Sequence, residues 1–308
     1  MCSYANRPGA RVTGPAITPS TGWVAIAPVE RMREHGPMRP RDRSRSTVVL
    51  GFAIAGLAVR FWPGTAVERV TRAISASGSR LAPAASAFWI DWLLVVSLVA
   101  YAVWQARPRQ RRRAVHRRIA WFAPAVAFVD AAWPVVLVAP WPLALRLTLV
   151  TLLLVALAVV LVVIVHRIDR APDLRHVDLY LLDLTFGVHL GWTTALAVSS
   201  FGATALALGL HPAWWLADAL AALALLVVGG LVTWWCLWLG DRVAVAGSAA
   251  WGLVWIGVAR LTGHPHSVVV ALVAGLMALH VLGVTWWRGR HRVGTPVLPP
   301  WSDAHASS

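Results

Sequence analysis

The chain has 308 residues, of which 58% are apolar and only 13% charged, with a mean hydropathy of +0.65. A soluble domain carries about 25% charged residues. This much apolar surface cannot be buried in a globule of this size, so lipid is the expected solvent for most of the chain. The formal net charge of +15 comes from 28 Arg and no Lys, and the 19 Trp far outnumber the 3 Tyr and 7 Phe. The basic runs lack interleaved aromatics, which excludes a nucleic-acid surface as the reason for the charge. Cys2 and Cys236 fit no zinc or redox spacing. The Arg-only, Ala/Val/Leu-rich usage points to a GC-rich bacterial source.

Residues 1–46 carry eight Arg and few apolar runs, and are expected to form a disordered basic tail. No h-region opens the chain, so no standard signal peptide is expected. Met32 and Met38 are alternative starts to Met1, and the Arg cluster before residue 47 suits an uncleaved signal anchor. Eight spans follow at 47–62, 81–104, 119–138, 142–165, 181–208, 213–239, 243–258 and 267–287, each near the roughly 20 residues a bilayer core requires. Arg60 is expected to snorkel at the end of the first. Trp62, Trp104, Trp121, Trp141, Trp214, Trp215, Trp286 and Trp287 fall at span ends, the depth amphipathic rings prefer. Ala66, Val67, Val70, Ala73 and Ile74 follow helical spacing, so the 63–80 connection is expected to be an amphipathic helix lying on the bundle. The tail and alternate connections carry 22 Arg against five on the opposite side, which predicts cytoplasmic termini. The expected fold is therefore an all-α polytopic bundle: a five-helix core over 47–209, three further helices over 210–287, and a cytoplasmic tail at 288–308. Gly229 and Gly230 permit close helix contact, in a homodimer or within the bundle.

There is no Gly-rich phosphate loop, no His-Glu-x-x-His and no Ser/His/Asp arrangement, so an enzyme is not expected. Acids inside spans are more informative, because an ionised carboxylate at mid-bilayer costs about 2.5–3.5 kcal/mol on insertion scales. Asp183 and Asp218 lie near span ends, where solvation explains them. Asp91 and Asp130 lie deeper. They are read either as hydrogen-bonded structural carboxyls or as polar contacts in a ligand cavity or proton path. His189 and Trp192 share a helix face. They are read either as a satisfied core pair or as a cavity wall that stacks on a flat ligand. A lone His on haem iron is a further reading. His280 lies in the last span.

The stretch LAPAASAFWIDW places Pro83, Phe88 and Trp92 in the register of a Phe-Thr-Pro-Pro-Gly-Trp-x-Phe-x-x-x-Trp pattern, with Ala85-Ser86 at the Gly-Trp place and Asp91 added. DAAW puts Asp130 and Trp133 on an Asn-x-x-Trp pattern, and FGVHLGWTTALAVSS supplies Phe186, His189, Gly191, Trp192 and Thr194, with Ser200 at an Asn place. In these features the chain from 47 to 287 resembles the tryptophan-rich sensory protein family, the bacterial relatives of the translocator protein (TspO/MBR), in its longer subgroup with extra C-terminal spans. The resemblance implies a receptor or sensor of the bacterial inner membrane. Its ligand would be a flat hydrophobic molecule, a tetrapyrrole or sterol-like lipid, held in a Trp-lined cavity between the first, second and fifth spans under the 63–80 connection. No cofactor is required, although a porphyrin or haem-like ligand fits. The wall would be Phe88, Trp89, Trp92, Trp133, Phe186, His189 and Trp192, with Asp91 and Asp130 as polar handles. The partners are the bilayer and the small ligand. The family's Asn at the Asp130 place implies that Asp130→Asn folds normally. The alternative function is a small proton-coupled transporter that uses Asp91 and Asp130.

Overall fold

In hydrocarbon a backbone amide has no partner but the chain itself, so long runs of Leu, Val and Ala close into helices. The structure is a computed structural model that describes residues 40–62, 74, 77–111, 113–170, 180–240 and 242–292. Its long helices are α1 (Pro40–Phe61), α2 (Ile90–Ala106), α3 (Phe122–Val138), α4 (Leu143–Asp169), α5 (Val188–Ala207), α6 (Trp214–Trp238), α7 (Val243–Thr262) and α8 (Val268–Arg292). Seven of these, four with an adjoining turn or a trimmed end, are long and apolar enough to cross a membrane, and α3, at 17 residues, is the short member. The fold is all-α, a polytopic bundle, as expected from the sequence. Residues 40–46, part of the expected basic tail, are helical and belong to α1, and residues 1–39 lie outside the described residues.

Helix α1 packs on α2 and α3, α3 on α4, α4 on α5, α5 on α7, and α7 and α6 on α8. The fifth span is the hub: 78% of its central window is buried, against 33% for the first, sixth and eighth. The described residues from Pro40 onward belong to one compact unit. Two small residues one turn apart explain the α5–α7 contact. A Cβ on Gly191 would lie 2.3 Å from the Val245 carbonyl oxygen, and one on Gly252 would lie 2.5 Å from the Ala195 Cβ. Gly191/Ala195 and Ser248/Gly252 thus form facing small-residue pairs that let the backbones meet. Gly229 approaches Met277 of α8, whereas Gly230 meets nothing within 4 Å.

Ion pairs join α6 and the turn before α7 to the rest. Arg80 donates to Asp218, while Arg242 reaches Asp169 at 3.3 Å and Asp183 at 3.6 Å. Asp183 and Asp218 are therefore paired, which corrects their reading as simply solvated ends. The expected amphipathic helix at 63–80 lies outside the described residues, apart from Ile74, which is fully buried, and the stretch 77–80. The belt tryptophans at 62, 121, 141, 214, 215, 286 and 287 are exposed at helix ends. Trp104 departs from that group and packs edge-on against His116. His280 is exposed on α8.

The Arg-rich connection folds into short helices at Pro108–Arg111 and Ala114–Ile119. His116 is fully buried there, and the Tyr101 hydroxyl faces its Nδ1 at 3.3 Å. Burial, reinforced by Arg45 and Arg113, pushes the His116 imidazole from 6.5 down to about 3. The unfolded chain then binds a proton that the fold refuses, so stability falls as pH drops through this window. The slope approaches about 1.4 kcal/mol per pH unit. His116→Phe keeps a ring in place and removes the titration. Unfolding of the purified protein between pH 6.5 and 4 should therefore be markedly less pH-dependent in this variant, and equal slopes would refute the assignment.

Candidate functional site

The turn before α5, Asp183–Gly187, is a π-helical bulge, which adds a residue and shifts the helix face that follows. Its Thr185 carbonyl accepts from Nδ1 of His189 at 2.7 Å, and its hydroxyl donates to the Ser97 carbonyl of α2 at 3.3 Å. His189 is thereby held at 0% exposure with Nε2 facing α3, 3.6 Å from Oδ1 of Asp130.

Asp130 has a stronger partner. Arg60 of α1 donates from Nη2 to Asp130 Oδ1 at 3.1 Å, with both side chains at most 4% exposed. Its Nη1 donates to the Gly56 carbonyl at 3.3 Å. Gly56 lies against the pair: a Cβ there would sit in ordinary contact, 3.7 Å from both the guanidinium and Asp130 Oδ2. Arg60 therefore does not snorkel as expected: it turns inward, because a buried carboxylate attracts it more than the interface does. A signal existed in the sequence, since intramembrane charges normally come with partners. The pairing bears on the expectation that Asp130→Asn folds normally: an amide there weakens the contact with Arg60, while Asp91 stays within electrostatic reach of the guanidinium.

Asp91, in the first turn of α2, accepts from Nε1 of Trp192 at 2.8 Å. It lies within electrostatic reach of Arg60, Asp130 and His189. Four helices, α1, α2, α3 and α5, thus bring two acids, one Arg and one His into a single buried polar cluster.

The aromatic residues divide around it. Phe88 and Trp192 meet edge to face at 5.4 Å and share an apolar cluster with Trp133. Phe186 belongs to a different cluster, where it packs edge-on against Tyr101 at 4.9 Å. Trp92 is half-buried against Phe61, with ring centroids 5.1 Å apart. Trp89 is 72% exposed, so its expected place in the wall is corrected: it turns away from the bundle while its neighbour Phe88 is fully buried. Successive residues of a helical turn point in widely different directions, and only one of the two can face inward. Ser200, at the second Asn place, shares a buried hydroxyl network with Thr151 at 2.8 Å. A separate apolar groove of about 470 Å³ runs between α4, α5 and α6, lined by Val159, Val162, Phe201, Leu231 and Trp235 among others. None of the expected wall residues lines it.

These features define a polytopic helical membrane protein with a charged cluster buried beside packed aromatics. A family model described as TSPO-like protein matches residues 47–286, and the chain belongs to that family. The match runs through all eight long helices, so α6, α7 and α8 fall within the family pattern. In general terms the chain is a membrane sensor or binding protein. No curated protein and no solved structure matches it.

Proposed function

We propose that the protein is a non-enzymatic receptor of the bacterial inner membrane. In this reading it binds a flat hydrophobic ligand, a tetrapyrrole or sterol-like lipid, against the aromatic residues of α2, α3 and α5. The observation that carries the reading is the placement of Phe88, Trp133 and Trp192 in one apolar cluster, with the Trp192 indole tied to Asp91 at 2.8 Å. Flat rings stack on indole faces without a fixed hydrogen-bond pattern, and a few polar groups set their orientation. Entry of a ligand requires Trp192, only 2% exposed, to swing from Phe88.

Tryptophan-quenching titrations with protoporphyrin test this. We expect roughly micromolar affinity, about −8 kcal/mol. Trp92→Ala and Trp192→Ala should each weaken binding by roughly 5- to 30-fold, about 1–2 kcal/mol, while Trp286→Ala, at an exposed belt position, should not. Equal affinity in all three variants would mean partition into detergent and would remove the reading. Substrate accumulation by proteoliposomes under a proton gradient would replace the receptor with a carrier. The reading places both termini in the cytoplasm, on the strength of the Arg asymmetry. A C-terminal alkaline phosphatase fusion should accordingly be inactive, and high activity would reverse the orientation.

A further inference from the structure

Nδ1 of His189 lies 2.7 Å from the Thr185 carbonyl oxygen, which can only accept, so Nδ1 carries a hydrogen. In a neutral imidazole the other nitrogen is then a bare lone pair. That nitrogen, Nε2, faces Asp130 Oδ1 at 3.6 Å, and neither Nε2 nor Asp130 Oδ2 has a hydrogen-bond partner among the described residues. Asp130 Oδ1 accepts from Arg60, but a bare Nε2 has nothing to donate to the carboxylate until that nitrogen takes up a proton.

The charge count points the same way. The groups facing His189 are Arg60 from α1, Asp91 from α2 and Asp130 from α3. Helices α4, α6 and α7 and the Asp183–Gly187 turn also pack on α5, but their ionisable residues, Arg146, His166, Arg167, Asp169, Asp183, Asp218 and Arg260, lie near helix ends. One guanidinium therefore stands against two carboxylates. A proton on His189 brings the four groups to neutrality, which the bilayer interior favours over any net charge.

We infer that His189 and Asp130 form a proton-binding site. One exchangeable proton from water bonds to Nε2 of His189 and is held against the Asp130 carboxylate, which Arg60 fixes from its other side. The site stands on this cluster alone and operates whether or not a flat ligand binds nearby.

The test uses the purified full-length protein in detergent, labelled with ¹⁵N-histidine and titrated from pH 9 to pH 5 by NMR. His189→Gln identifies the resonances by their loss. Should that variant not fold, His189→Asn serves, because its amide places a donor where Nδ1 sits. The expected result is that Nε2 of His189 passes from bare to protonated as pH falls, while Nδ1 stays protonated throughout. A pH indicator in unbuffered solution should also record one more proton taken up by the wild type than by the variant. Nε2 held in one state over the whole range, or equal proton uptake by the two proteins, would overturn the proposal.

Discussion

Gly191→Ala should break the packing of α5 on α7. The added Cβ would stand 2.2 Å from the Ser248 hydroxyl oxygen, 2.3 Å from the Val245 carbonyl oxygen and 2.8 Å from the Ala249 nitrogen. A hydroxyl can rotate away, but two of these atoms are backbone, so the helices must separate. Separation also loosens the Gly252–Ala195 contact one turn along, and with it the seat of Trp192. Overpacking of this kind costs about 1–3 kcal/mol in a core that can yield. Here the expected loss is at least about 3 kcal/mol, because the clash is with rigid backbone on the most buried span. Gly230→Ala is the matched control: nothing lies within 4 Å of its Cβ position, and in mid-helix alanine is the better former. Thermal unfolding in detergent and the monodisperse yield should fall sharply for Gly191→Ala and hold or rise for Gly230→Ala. Equal stability of the two variants would show that the α5–α7 interface is looser than described.

The second large effect is expected at the buried ion pair. Arg60→Met removes the cation and leaves the Asp130 carboxylate at 4% exposure without its counter-charge. Breaking such a pair from one side typically costs about 3–5 kcal/mol, whereas replacing both partners by apolar residues is often close to neutral. The double variant Arg60→Met/Asp130→Leu should therefore recover much of the stability lost in Arg60→Met, the remaining deficit coming from Asp91, which also loses Arg60. Denaturant unfolding of the four proteins forms a cycle that isolates the coupling. Additive losses would mean that the 3.1 Å contact contributes nothing and that the two charges are solvated independently.

The amino-acid sequence by itself determined the class of protein and the order of its helices. Runs of about 20 apolar residues separated by Arg-rich or Pro-rich connections have one physical solution in lipid, and that solution is helical. It also marked Asp91, Asp130 and His189 as interior groups, because polar side chains are too costly to face hydrocarbon. Periodicity did not separate Phe88 from Trp89, since a short turn of 3-10 helix at Ala85–Trp89 buries one and exposes the other. The partner of Asp130 was likewise out of reach. Arg60 stands at the end of its span, where composition favours an interfacial role, and only the packing of α1 on α3, which brings Asp130 within reach, turns it inward. Gly191 was legible as part of a motif but not as a contact. Its neighbour in space, Ser248, is far along the chain, and the small-residue pairs of α5 and α7 acquire meaning only when the two backbones meet. Local rules fix what each segment becomes in a membrane. Which charges pair, and which faces close on each other, is decided by the packing of helices distant in sequence.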